Sequence, residues 1–125
     1  MASITLCMAG VSGFLAVALG AFGAHGLKNR LSAEMMAVYE TAVQYHFYHT
    51  FALLAVGLLL QFGVQHAGLR AAAWLFTLGM VLFSGSLYAL ALSGVKVLGA
   101  ITPIGGLMFL IAWACLAVAA LRGLS

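Results

Sequence analysis

Apolar residues run in four long blocks, and the polar ones collect in the short stretches between. The first block, ITLCMAGVSGFLAVALGAFGA, covers about 4–24. The second covers about 42–62 around FALLAVGLLL, the third about 71–92, and the fourth about 102–121. Each has the roughly 20 residues that a helix needs to cross a bilayer. The pattern predicts an all-α, integral membrane four-helix bundle forming a single transmembrane domain over residues 1–125. The first block ends in small residues, as a signal peptide does, but no Lys or Arg precedes it and its length is that of a full span. It is read as a mature helix.

Polar punctuation sets the boundaries. Gly26 follows His25 as a helix stop, and Lys28 and Arg30 belong at the headgroups. Ser32 is placed to cap a helix that starts near Ala33, with Glu34 in its first turn, where the helix dipole favours an anion. That helix continues to about Phe62, longer than a bilayer requires, so it has an interfacial amphipathic start. Gly63, Gln65, His66, Gly68 and Arg70 form the next connection, and Ser93 to Ala100 the last. Pro103 suits the first turn of the fourth helix, where its missing N–H is no loss, and Thr102 can cap.

Composition narrows the class further. Hydrophobic residues make up 66% of the chain, charged ones 6%, and the mean hydropathy is +1.19. Five basic residues give a net charge of +3, but they are scattered between the apolar blocks, unlike the clustered basic face that nucleic acid requires. Arg70 and Arg122 fall on the side of the termini, against Lys28, Arg30 and Lys96 on the other, which leans the termini outward. Cys7 and Cys115 lie within apolar runs as free thiols, and no Cys/His cluster suggests a metal.

Two sets of residues stand out. Small residues recur four apart in the first block, at Ser12, Ala16, Gly20 and Ala24, and Gly105 with Gly106 opens the fourth; both suit close helix packing in lipid. The second set is polar and lies inside a membrane segment, where such groups are costly and default to functional candidates. At about 100° per residue, Glu40, Thr41, Gln44, Tyr45, Tyr48 and His49 share one half of the second helix, with His46 nearer the half of Val43, Phe47 and Thr50. A cluster of His25, Glu40, Gln44, Tyr45, His49 and Tyr88 is expected, with Ser84 and Thr102 as further polar candidates. Either it fixes helix register, or it binds a lipid headgroup or membrane partner. With two acidic residues in all and no nucleophile–base pair, catalysis is not expected. No cofactor is called for. Membrane lipids are the expected partners, with a homo-oligomer as a further option. An oligomeric transporter or channel subunit for a small solute or protons, using His49 and Glu40, is the alternative.

Four segments also resemble a known family. GAFGAHGLK (Gly20 to Lys28), ETAVQYHFYHTFALL (Glu40 to Leu54), LFSGSLYAL (Leu82 to Leu90) and ITPIGGLMFLIAW (Ile101 to Trp113) are similar to the YgdD-like family of small inner-membrane proteins, which has relatives among eukaryotic transmembrane proteins. The resemblance spans essentially the whole chain. It departs at His46, where the family more often has glutamine. It implies a bacterial inner-membrane location and no established activity, and it places recurrent positions at His25, Tyr45, His49, Ser84, Gly85, Tyr88, Pro103, Gly105 and Gly106.

Overall fold

The computed structural model describes residues 1–123. Four helices, α1 (Ala2–Phe22), α2 (Ala33–Gln61), α3 (Ala67–Ser93) and α4 (Thr102–Gly123), run alternately up and down. All four are long and apolar enough to cross a membrane. The closest backbone pairs are sequential: α1 on α2, α2 on α3, and α3 on α4. The central pair, α2 and α3, is the more buried; α1 and α4 present most of their surface to the surroundings. In lipid that arrangement costs little, because exposed Leu, Val and Phe meet a solvent as apolar as themselves.

Local chemistry explains the boundaries. Ser32 accepts a hydrogen bond from Met35 N at 3.1 Å and so caps α2, as its position suggested. Gly94, at φ 73°, closes α3 in the left-handed conformation that glycine adopts without penalty, and Gly63, at φ 90°, does the same for the α2–α3 turn. Three boundaries differ from the sequence reading. The chain does not stop at Gly26: a π-helical turn, Gly23–Leu27, carries α1 onward. There the Tyr39 ring lies against Gly23, and its hydroxyl donates to the Leu19 carbonyl, which also accepts the Gly23 N–H. Next, α3 starts at Ala67, before the uninterrupted apolar run, because His66 accepts from Gly68 N at 2.9 Å and caps it. Last, Lys96–Ala100 is a 3₁₀ turn leading into α4.

Small residues set the helix spacing. Ala16 is fully buried, and Gly20 faces Val43 and Phe47 of α2. On the other flank, a Cβ at Gly105 would run into the backbone of Phe83, and one at Gly79 would run into the Phe109 ring. The α3–α4 pair therefore meets almost backbone to backbone. Ser86 and Thr102 join the same pair through hydroxyls 2.6 Å apart; Thr102 spends its side chain on this cross-link at the first residue of α4.

Candidate functional site

The inward stripe of α2 runs through Tyr39, Ala42, His46, His49, Leu53 and Val56, spaced three and four apart, with Thr50 one turn beyond His46 beside it. This redistributes the expected cluster. Glu40, Gln44, Tyr45 and Tyr48 are exposed on the outer side of the helix, and His25 is exposed on the π turn. Among the described residues His25 makes no side-chain hydrogen bond, to His49 or to any other group. Of the expected set, only His49, Ser84, Tyr88 and Thr102 lie within the bundle, and Tyr45 forms a rim by stacking on Phe83 at 4.6 Å. His46, assigned to the other half of α2, is at the centre of the polar interior and 7% exposed. The missed signal was His46 with Thr50, an i, i+4 pair level with Ser12 on α1.

Two polar arrangements occupy the middle of the bundle. The first is a chain of four side chains from three helices. Tyr88 Oη lies 2.9 Å from His46 Nδ1, and His46 Nε2 lies 3.1 Å from Ser12 Oγ. Ser12 Oγ is 2.6 Å from Thr50 Oγ1, and Thr50 donates to the His46 carbonyl at 2.8 Å. Only one assignment makes all four of these contacts hydrogen bonds at once, because the His46 carbonyl can only accept from Thr50. Thr50 has therefore spent its hydrogen, so Ser12 donates to Thr50. Ser12 in turn accepts from His46 Nε2–H, which leaves Nδ1 bare to accept from Tyr88. Met80 Sδ, 3.3 Å from Ser12 Oγ, is a further acceptor within reach of the serine hydrogen.

The second arrangement surrounds His49. Its Nδ1 faces the Tyr45 carbonyl at 2.7 Å and must carry the proton. Nε2 is then an acceptor and takes the Trp113 indole N–H at 3.2 Å. The imidazole stacks on Phe109, with centroids 3.5 Å apart and planes 3° apart. Both ring nitrogens are satisfied. No buried side-chain nitrogen or oxygen among the described residues lacks a partner. Nor do three His, Cys, Asp or Glu side chains among them converge as metal ligands.

The two arrangements differ in access. His49 and Trp113 border an aromatic cleft of about 380 Å³ between α2 and α4. The His46 chain instead forms the floor of a groove of about 470 Å³ between α1 and α3. The groove wall is mostly apolar, its rim is made by the exposed Val11, Leu15 and Val81, and its polar atoms come from Cys7, Ser12, His46, Thr77, Ser84 and Tyr88. Gly85 opens it further: a Cβ there would meet nothing within 4 Å. No residue of α4 lines this groove. A third, smaller hollow of about 270 Å³ lies beside Glu40 and Gln44 on the outer face of α1 and α2.

Comparison with known proteins adds relatives and no activity. A family model described as a protein of unknown function, DUF423, matches residues 19–106. A UPF0382 membrane protein of Staphylococcus epidermidis is 44% identical over 119 residues, which cover 95% of this chain and 96% of the relative. The UPF0382 membrane protein YwdK of Bacillus subtilis is 42% identical over 119 residues, with coverage of 95% and 97%. The UPF0382 inner membrane protein YgdD of Escherichia coli is 42% identical over 123 residues, with coverage of 94% and 88%. No solved structure matches.

Proposed function

We propose a lipid-binding role from one premise: the chain belongs to the DUF423 family, whose function is unknown, and is an integral protein of the bacterial inner membrane. In this reading a single apolar chain lies in the groove between α1 and α3, its polar group resting on the Tyr88–His46–Ser12 floor. The observation that carries the reading is the groove itself. About 470 Å³ of apolar space with a small number of convergent polar groups is the form of a small-molecule site, which typically spans about 300–1,000 Å³. Its mouth lies along the flanks of two spanning helices, where the molecules at hand are lipids.

The sequence suggested the outer face of α2 as the contact for a lipid headgroup. Geometry favours the groove, because Glu40 and Gln44 border only the smaller outer hollow. The transporter alternative draws no support: Glu40 is exposed, His49 is turned inward, and no hydrogen bond among the described residues joins them.

Glycine substitutions test the reading without disturbing the fold. Gly85→Leu projects into open space inside the groove, and Gly10→Leu, where a Cβ also meets nothing within 4 Å, lies outside its lining. Native mass spectrometry from a mild detergent should show retained lipid lost in Gly85→Leu and kept in Gly10→Leu. Equal lipid retention by both variants would refute a groove site.

A further inference from the structure

The hydrogen-bond direction worked out above goes one step beyond lipid binding and rests on it. In the assignment that satisfies all four contacts, each strong donor in the groove lining spends its hydrogen inside the protein. Tyr88 donates to His46 Nδ1, and His46 Nε2–H donates to Ser12. The Ser12 hydrogen goes to Thr50, or to the Met80 sulfur. Ser84 donates to the Ala42 carbonyl at 2.8 Å, and Thr77 to the Ala73 carbonyl at 2.8 Å. Only the weak S–H of Cys7 remains. The oxygens of Tyr88, Ser12, Ser84 and Thr77 each retain acceptor capacity, and no charged residue lines the groove.

A site that offers acceptors and no donors selects its ligand. A carboxylate, phosphate, quinone or ester presents acceptors to acceptors and would bury its oxygens unpaired. An ammonium would bring a charge with no counter-ion. A neutral hydroxyl brings one donor, the group the floor lacks. We infer that the groove takes a long-chain lipid alcohol, whose hydroxyl donates to the Tyr88 phenolic oxygen at the end of the Tyr88–His46–Ser12–Thr50 chain.

The test compares tetradecanol with its methyl ether, which keeps the chain and the acceptor oxygen but has no hydrogen to donate. Binding to the detergent-solubilised full chain is titrated by native mass spectrometry. The alcohol should bind roughly three- to tenfold more tightly, the span of one neutral hydrogen bond. Tyr88→Phe combined with His46→Leu, which removes the phenolic oxygen and the imidazole nitrogen that its loss would bare, should abolish that preference while still taking both chains. Equal binding of alcohol and ether by the unaltered protein would overturn the donor inference and leave the lipid-binding role standing. Binding of neither would overturn both. A preference that survives in the Tyr88→Phe, His46→Leu double variant would overturn Tyr88 as the acceptor.

Discussion

The imidazole of His49 lies flat on the ring of Phe109, 3.5 Å away, and is pinned in that plane from both edges by the Tyr45 carbonyl and the Trp113 indole. The Trp113–His49 bond is the only side-chain hydrogen bond between α2 and α4 among the described residues, and these helices are not a close backbone pair. It locks the neutral tautomer with the proton on Nδ1. The arrangement makes His49 a structural clasp, in contrast to His46, whose network borders an open groove.

A clasp of this kind is tested by removing one half and then both. Trp113→Phe leaves Nε2 of His49 without a donor and should destabilise the bundle by about 1 kcal/mol. His49→Phe orphans the indole N–H and should cost a similar amount. The double variant has no unpaired group, so it should be less destabilised than the sum of the singles, with a coupling of about 0.5 kcal/mol or more. Reversible unfolding in mixed micelles measures all three. Strict additivity would show that the hydrogen bond contributes nothing.

Adjacent glycines on α4 should behave differently. At Gly105 an added methyl would strike the backbone N and Cα of Phe83, which only a separation of the helices can relieve. At Gly106 it would sit 3.7 Å from the Phe83 ring, an ordinary contact. Gly105→Ala is expected to lower stability by about 2 kcal/mol, within the range for overpacking, and Gly106→Ala to change it by less than about 0.5 kcal/mol. Thermal unfolding followed by circular dichroism in detergent discriminates between them. Similar losses at both positions would contradict the close α3–α4 approach.

Much of the fold was legible because lipid imposes length and capping rules on the chain. The four apolar blocks and the Ser32 cap each follow from a local requirement that the sequence displays directly. Which face of α2 turns inward was not legible. In water, the apolar stripe marks the core; in lipid, the outer face is apolar as well, so that contrast is lost. Grouping polar residues did not replace it, since Glu40 and Gln44 near the start of α2 face outward and His46 faces inward. The small residues of α1 carried the better clue. Ser12 meets Thr50 and Gly20 meets Val43, so the α1 stripe marks which side of α2 is covered. The groove was invisible in the sequence because it depends on how α1 and α3 lean across α2.

The π turn at Gly23–Leu27 offers a third test, since it depends on one contact. Tyr39 is 1% exposed, with its ring against Gly23 and its hydroxyl on the Leu19 carbonyl. An Ala at 23 would place its methyl inside the Tyr39 ring, so Gly23→Ala should destabilise by about 1–3 kcal/mol. Replacing Tyr39 with Leu clears that space and removes the hydroxyl from the Leu19 carbonyl. Gly23→Ala combined with Tyr39→Leu should therefore be less damaging than the sum of the two single changes. Its α-carbon NMR shifts over residues 22–27 should move toward regular α-helix. Full additivity, with unchanged shifts, would separate the π turn from Tyr39 and require another cause for it.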